Sequence, residues 1–265
     1  MRYGISNLSI VPVRTDPCET SEMCTQILFG EHYSIVDENK KWCKIKLAFD
    51  DYEGWIDQKM VYEISEKTFR QLNQQQLTVT TNPFNIVQPE KGYSNFLIVA
   101  GSSLPFYKSA HNTFRIGAES YTIQGDRILS VKKNIRNILI ENALKYFNAP
   151  YLWGGRSPFG VDCSGFSQIL YKMIGLHLPR DAQQQAMIGE NITFVEEALP
   201  GDLAFFDNDE GKIVHVGIIW EKNKIIHSSG KVRIDNIDHF GIYNIDTKRY
   251  SHQMRLMRRI IPTIE

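Results

Sequence analysis

The sequence predicts an α+β protein in which two small β modules precede a domain of helices and antiparallel strands. Three observations support this prediction. Short β-prone runs separated by turns fill the first half of the 265-residue chain. Helical periodicity begins only after Ser130, and β-prone runs return after Asp202. Because this length accommodates two or three small domains, we expect domain bounds of 1–64, 65–130 and 131–265.

The first module is expected to be a small barrel, because several β-prone runs follow one another closely. Apolar and polar residues alternate from Trp42 to Leu47, which is typical of a strand buried on one face. A stretch rich in Gln and Thr, residues 71–81, is interpreted as a connecting segment. The β-prone runs are residues 8–13, 26–29, 33–36, 42–47 and 53–57.

The second module is expected to be another small β unit that ends near Ser130. Glycine marks its turns, since glycine adopts turn conformations at little steric cost. The β-prone runs are residues 95–101, 104–107 and 120–124, with turns at Gly101, Gly117 and Gly125-Asp126.

The last domain is expected to place helices before a β meander. Apolar residues spaced three and four apart predict a helix over residues 134–147. A second helix shows the same spacing from Phe166 to Ile174, and Gly175 is a typical C-terminal stop. Three consecutive antiparallel strands are then predicted at residues 202–207, 213–220 and 224–229.

Composition and charge limit the partners that we expect. Apolar residues make up 42% of the chain and charged residues 23%, as in ordinary soluble proteins. Lys plus Arg and Asp plus Glu number 30 each, so the formal net charge of zero argues against a nucleic acid or a membrane surface as partner. No apolar run reaches the roughly 18 residues of a transmembrane helix. We expect a monomer.

The N-terminus and the cysteines indicate a location. The segment up to Arg14 lacks the apolar run of a secretory signal, so a cytoplasmic location is expected, provided that the chain begins at its native N-terminus. The four cysteines are then expected to be reduced. Cys18, Cys24 and Cys43 are interpreted as small core residues. No cofactor and no metal are expected.

Cys163 is the candidate nucleophile, because it directly precedes the second predicted helix. A cysteine in a first helical turn meets unpaired backbone N–H groups and the positive end of the helix dipole, which favour the thiolate. Gly160 and Gly165 permit close backbone approach, and Asp162 and Ser164 offer hydrogen-bonding groups. The alternative is a small buried residue that packs a core helix.

Two histidines are placed to act with this cysteine as base and orienting residue. If residues 221–223 form the loop between their strands, His227 lies opposite Gly217 and diagonal to His215, about 7 to 8 Å away. A two-residue loop would turn His227 to the other face. A surface or core position is the alternative for a strand histidine. No comparable partner pattern is found for His32, His111, His177, His239 and His252.

Two classes of function other than nucleophilic catalysis are open to these residues. Cys163, His215, His227 and Asp162 are residue types that bind zinc, but the CxxC and HxxxH spacings of zinc sites are missing. The β modules alone suggest a noncatalytic peptide-binding protein. The set of one cysteine and two histidines argues against that second class.

The motifs of the last domain resemble the NlpC/P60 cysteine peptidases, over about half of the chain. The resemblance implies a circularly permuted papain-like fold with Cys163 as nucleophile, His215 as base and His227 as the orienting third residue. The motifs that carry it are Pro150-Tyr-Leu-Trp-Gly-Gly155, Asp162-Cys-Ser-Gly-Phe166, Leu178-Pro-Arg-Asp-Ala182, Pro200-Gly-Asp-Leu203, His215-Val-Gly-Ile218 and Ile226-His-Ser228.

The first module is similar to bacterial SH3 domains, in the motifs at residues 26–30, 42–45 and 52–56. Two such modules before an NlpC/P60 domain resemble the γ-D-glutamyl-L-diamino acid endopeptidases, also called dipeptidyl-peptidases VI. That resemblance implies hydrolysis of cell-wall-derived peptides with a free N-terminal L-Ala, release of L-Ala-D-Glu, and a role in murein peptide recycling. The alternative within the enzyme class is an exported hydrolase that acts on the polymeric wall.

The same resemblance implies a set of substrate-binding residues. Tyr52 and an acid, Glu22 or else Glu31, would meet the substrate's ammonium group, which needs a carboxylate when it is desolvated. For Asp181, helix capping is an equal alternative. The other cleft positions that the resemblance implies are Asp162, Ser164, Arg180 and Asp181. Independently of the resemblance, Tyr151, Trp153 and Phe159 are candidates for the walls of the cleft, and core packing is the alternative for these aromatic residues.

Overall fold

A computed structural model describes residues 1–92, 94–124 and 133–263. The chain divides into two compact units. Unit 1 comprises Met1–Ser130 and Trp153–Ser157, and unit 2 comprises Val131–Leu152 and Pro158–Glu265. The turn expected at Gly125-Asp126 lies outside the described residues, and the expected domain bounds stay a prediction.

A seven-stranded antiparallel sheet forms the first part of unit 1, in the order β3-β2-β6-β5-β4-β1-β7. The alternation predicted from Trp42 to Leu47 is confirmed, because Cys43, Ile45 and Leu47 are buried. The first strand was not predicted, since it contains Gly4, which lies against the ring of Tyr33. The strands are β1 (Arg2–Ile5), β2 (Ile10–Arg14), β3 (Met23–Leu28), β4 (His32–Asn39), β5 (Trp42–Leu47), β6 (Glu53–Asp57) and β7 (Tyr62–Ile64).

Helix α1 (Glu66–Gln74) overlaps the segment that the sequence analysis interpreted as a connection, so that interpretation is wrong in part. The Ser65 side chain accepts a hydrogen bond from the Thr68 N–H and caps the helix. Of the helix residues, Leu72 is buried. Its nine residues contain only two apolar side chains, Phe69 and Leu72, so the segment resembles a polar connection in the sequence.

The second module is a four-stranded antiparallel sheet in the order β10-β11-β8-β9. Ile5 of the first sheet and Phe29, which directly follows β3, belong to the same apolar cluster as Val87 and Phe114 of this sheet, so the two modules share a core. The strand expected at residues 104–107 is wrong: this segment forms a turn. The strands are β8 (Phe84–Pro89), β9 (Phe96–Val99), β10 (Thr113–Ile116) and β11 (Glu119–Gln124).

The segment Trp153–Ser157, which contains β12 (Arg156–Ser157), is fixed to the first sheet by a buried arginine. The Arg156 guanidinium is fully buried and donates to both carboxylate oxygens of Glu31, at 2.9 and 3.0 Å, and to the Gln26 carbonyl oxygen at 2.7 Å. Gly154 has a φ of 75°, and a Cβ there would lie 2.3 Å from the Met23 carbonyl oxygen. This segment therefore requires both glycine and a complete ion pair.

The described residues of unit 2 form three α-helices, a short 3-10 helix at Val195–Glu197 and the short strand β13 (Gly160–Val161). The helices are α2 (Ile135–Leu144), α3 (Cys163–Met173) and α4 (Ala182–Gln185). Helix α2 is shorter than predicted at its C-terminal end, where residues 145–148 form a turn. The stop predicted at Gly175 is confirmed by its φ of 82° just beyond α3. No helix in the described part of the chain is long and apolar enough to cross a membrane.

The strands of unit 2 form a seven-stranded sheet in the order β14-β20-β15-β16-β17-β18-β19. Strand β20 also pairs with β19, so six of these strands close into a ring. Phe206, Ile219 and Ile225 belong to its apolar core, and α3 packs against β16 and β17. The strands are β14 (Glu190–Ile192), β15 (Leu203–Asp207), β16 (Ile213–Glu221), β17 (Lys224–Ser229), β18 (Lys231–Asp238), β19 (Gly241–Asn244) and β20 (Arg249–Arg259).

Replacement of Glu31 tests the buried ion pair of unit 1. We expect Glu31→Gln to lower the free energy of unfolding by about 3 to 5 kcal/mol, because Arg156 would stay buried without its counter-charge. Urea unfolding followed by circular dichroism measures this. The matched control is Glu38→Gln, whose partner Arg2 is exposed, and it should leave the midpoint nearly unchanged. Equal midpoints for the two variants would contradict this prediction.

Candidate active site

The N-terminus of α3 is held by a buried cluster of polar side chains. Asp162 Oδ1 accepts a hydrogen bond from the Gly165 N–H at 2.6 Å, which caps the helix. Arg180 Nη1 donates to Asp162 Oδ1 at 3.0 Å and to Ser164 Oγ at 2.9 Å, and Arg180 Nη2 donates to Asp162 Oδ2. All three side chains are nearly buried. Three of the residues expected to contact substrate thus bind one another, and their contact with substrate stays a prediction.

Cys163 is the first residue of α3 and is 8% exposed. Burial and, to a smaller extent, the charge of Asp162 raise the pKa of the Cys163 thiol to about 12. The backbone N–H groups of Val216 and Ser164 act in the opposite direction and lower this pKa. Burial thus opposes the thiolate that the helix terminus was expected to favour.

The strand pairing that brings the two histidines together was predicted correctly, but for the wrong reason. Gly217 lies opposite His227, as expected. The connecting turn has two residues, since Glu221 pairs with Lys224 and Asn223 adopts a φ of 59°. A β-bulge between Ile219 and Glu221 absorbs the extra residue and returns His227 to the face of His215.

The histidines continue as a hydrogen-bonded chain into the interior of the ring. His215 Nε2 lies 2.9 Å from His227 Nδ1, and His227 Nε2 lies 3.0 Å from Asp235 Oδ2. These side chains are 5%, 1% and 0% exposed, respectively. A Cβ on Gly217 would approach the His227 Cβ to 2.9 Å, so glycine leaves the space that the pair needs. The structure therefore brings the two expected histidines into contact from the neighbouring strands β16 and β17.

Both imidazoles are neutral at neutral pH. Burial lowers the pKa of His215 well below its usual value, and the neighbouring His227 and His252 lower it further. Burial also lowers the pKa of His227, against the opposing effect of Asp235. Although burial works against ionisation, hydrogen bonds from His227 and Arg233 hold the pKa of Asp235 well below its usual range. Of the three hydrogen-bonded side chains His215, His227 and Asp235, only Asp235 thus carries a charge.

The sequence analysis missed two residues of this site. His252, on β20, stacks on the ring of His215 with the ring centroids 4.1 Å apart. Asp235 lies on β18, two residues beyond Arg233, which is the direct partner of His227. Same-face diagonal placement would have identified Asp235, but no strand was predicted after residue 229.

The described residues fit a zinc site poorly. The ligand atoms of His215, His227 and His252 lie within 4.8 Å of one another. The rings of His215 and His252 are stacked, however, with only 24° between their planes. Because imidazole lone pairs lie in the ring plane, two stacked rings do not point at one ion at about 2.0 to 2.1 Å. The other expected ligand, Asp162, binds Arg180 through both carboxylate oxygens.

Tyr151 lies beside the thiol, and Trp153 lies in unit 1. Burial, with smaller contributions from the neighbouring Cys163 and Asp162, raises the pKa of Tyr151 to about 12. Tyr151 therefore stays a protonated hydrogen-bond donor. The Trp153 indole N–H donates to the carboxylate of the exposed Glu22.

The remaining expected residues have defined places within their own units. Tyr52 packs against the core of the first sheet. Glu31 is buried, and its carboxylate binds Arg156 and the Leu28 N–H, so Glu22 is the better candidate for an ammonium ligand. Asp181 is the N-cap residue of α4, as in the alternative interpretation. Their contact with substrate stays a prediction.

Comparison with known proteins agrees with this architecture. The sequence profile of the NlpC/P60 family matches residues 148–255, and that of the bacterial dipeptidyl-peptidase SH3 domain matches residues 13–60. A γ-D-glutamyl-L-lysine dipeptidyl-peptidase from Bacillus subtilis is 30% identical over 224 residues, which cover 80% of this chain and 74% of that protein. A protein of the same name from Bacillus cereus is 26% identical over 261 residues, covering 90% and 75%.

A solved structure supports the fold. An NlpC/P60 family protein from Bacillus cereus matches with a TM-score of 0.80 at 20% identity, and the match covers 98% of this chain and 100% of that chain. The predicted fold class, an NlpC/P60 domain preceded by an SH3-like β-barrel region, is therefore confirmed.

Alkylation at varied pH tests the protonation state of the thiol. We expect the rate for Cys163 to keep rising above pH 9, because the thiolate is the reactive form and burial raises its pKa. Cys18 is the internal control: it is exposed, contrary to the expected core position, and its pKa is lowered by the Thr20 hydroxyl. Iodoacetamide pulses followed by peptide mass spectrometry measure both thiols. If the alkylation rate of Cys163 reached its plateau at a lower pH than that of Cys18, the neutral resting state of the Cys163 thiol would be contradicted.

Proposed function

The chain belongs to the NlpC/P60 family of cysteine peptidases, and on that premise we propose that it hydrolyses γ-D-glutamyl-L-diamino acid bonds in cell-wall-derived peptides. The substrate would carry a free N-terminal L-Ala, and L-Ala-D-Glu would be released. The two similar Bacillus proteins named γ-D-glutamyl-L-lysine dipeptidyl-peptidases support this substrate class. The observation that carries the proposal is Cys163 at the start of α3, which packs against β16 and β17, the strands that hold the hydrogen-bonded pair His215 and His227.

The proposed reaction proceeds through a thioester. Cys163 Sγ attacks the γ-carbonyl carbon of D-Glu while its proton passes to His215. His215 then gives this proton to the leaving amine of the diamino acid, which breaks the C–N bond. A water molecule, deprotonated by His215, attacks the thioester, and the departing thiolate takes the proton back. The base must accept the proton during attack, because the thiol is neutral at rest.

The hydrogen bonds separate the roles of the two histidines. Both ring nitrogens of His227 are engaged, one with His215 and the other with Asp235. His215 lies on β16, against which α3 packs with Cys163 as its first residue. His215 is therefore assigned as the base and His227 as the orienting residue. Tyr151 is assigned as a donor to the oxyanion, since it is protonated and interacts with Cys163.

The proposal extends to the substrate's free amine and to the setting of the reaction. Glu22 would bind the ammonium group with Tyr52 beside it. An L-Ala with a free amine occurs on soluble stem peptides and not on stems attached to the glycan. The proposal therefore includes recycling of soluble peptides by a monomer in the cytoplasm.

Product analysis tests the proposed reaction. We expect L-Ala-γ-D-Glu-L-Lys to yield L-Ala-D-Glu and lysine, and the diaminopimelate analogue shows whether the third residue matters. The N-acetylated tripeptide should be cleaved about a hundredfold or more slowly, because its uncharged amine leaves a carboxylate unpaired. Mass spectrometry measures kcat/KM for each. Cys163→Ala should abolish hydrolysis and keep the fold. Equal kcat/KM for free and acetylated peptides would favour the hydrolase of polymeric wall instead.

Replacement of Glu22 tests amine recognition. We expect Glu22→Gln to lower kcat/KM for the free tripeptide and to leave the acetylated peptide unchanged, so that the preference falls toward one. The reason is that a neutral amide does not compensate a desolvated ammonium group. The matched control is Glu19→Gln, another exposed acid of the same loop. An unchanged preference in Glu22→Gln would remove Glu22 from the site.

A further inference from the structure

Asp235 is a buried carboxylate whose hydrogen bonds all hold it in place against His227. Arg233 Nε donates to Asp235 Oδ2 at 2.6 Å, and Arg233 Nη2 donates to Oδ1 at 2.9 Å. The Ile245 N–H also donates to Oδ1, at 3.1 Å. His227 Nε2 is the further partner of Oδ2. A carboxylate with this many donors and no solvent exposure is fixed in position and in charge.

The charge of Asp235 determines where the protons of both histidines lie. An ionised carboxylate only accepts hydrogen bonds, so His227 must carry its proton on Nε2. Because His227 is neutral, its Nδ1 is then an acceptor, and His215 must donate from Nε2. The proton of neutral His215 is thus on Nε2, and Nδ1 is left unprotonated. Nδ1 is the only nitrogen of His215 that can take a proton from Cys163.

We propose that Asp235, clamped by Arg233, is a positioning residue that sets the tautomers of His227 and His215 and so makes His215 Nδ1 the base. This inference rests on the catalytic roles proposed above. Arg233 supplies the counter-charge without which a buried carboxylate would take up a proton. An amide at position 235 could instead donate to His227 Nε2. The donor and acceptor roles in both hydrogen bonds, from residue 235 to His227 and from His227 to His215, would then be exchanged. His215 Nδ1 would be protonated and unable to act as base.

The tautomers can be measured in the full-length protein without substrate. In protein labelled with ¹⁵N-histidine, long-range ¹⁵N–¹H correlation spectra distinguish a proton on Nδ1 from one on Nε2. We expect Nε2 protonation for both His215 and His227 in the wild type, and Nδ1 protonation of His227 in Asp235→Asn. If the wild type carries the His227 proton on Nδ1, the inference is overturned, even where Asp235→Asn does not fold.

Kinetics supply the second readout. We expect Asp235→Asn to lower kcat on the tripeptide on the order of 100-fold or more with little change in KM, because Asp235 orients the base and does not bind substrate. The matched control is Asp246→Asn, which removes the exposed partner of Arg233 and should leave kcat within about twofold. Wild-type kcat in a folded Asp235→Asn protein would overturn the inference. The spectra need no turnover, so they separate this outcome from a failure of the proposed substrate.

Discussion

The buried hydrogen-bond chain from His215 through His227 to Asp235 constrains the strands of unit 2 more than any other feature of the site. Its three side chains come from three neighbouring strands, so each strand must keep one register. The apolar core continues along the same face as Ile219 and Ile225. A slip by one residue would bury apolar side chains on the wrong face and leave buried polar atoms unpaired. The bulge between Ile219 and Glu221 is the local irregularity that reconciles a two-residue turn with this register.

Buried arginine–carboxylate pairs fix the chain where secondary structure does not. Arg156 and Glu31 hold the segment Trp153–Ser157 to the first sheet, and Arg180 and Asp162 hold the loop before α4 to the start of α3. Such pairs contribute little net stability, since desolvation offsets much of the attraction. Breaking one partner is costly, however, so these pairs act mainly by excluding alternative arrangements of the loops. The Arg233–Asp235 pair follows the same rule beside the histidines.

The sequence predicted most of the fold class and the three proposed catalytic residues, because strand alternation and local motifs carry that information. Cys163 starts a helix with a clear apolar stripe, and β17 was predicted at its observed bounds. Asp235 and the partner of Arg156 were not predicted, since both depend on tertiary pairing. Arg156 and Glu31 are 125 positions apart. The bulge beside Trp220 has no glycine or proline to mark it, so only the folded sheet reveals it.

The neutral ring of His227 separates the charge of Asp235 from His215 and so favours a neutral resting form of the site. If Asp235 bonded His215 directly, its charge would raise the pKa of the base and favour an imidazolium beside a thiolate. The neutral ring of His227 stands between them, and burial then dominates for both His215 and Cys163. A buried thiolate–imidazolium pair would cost several kcal/mol in desolvation. Arg233 therefore compensates the charge of Asp235 in the resting site. The proton moves from the Cys163 thiol to His215 only when the thiol attacks the substrate.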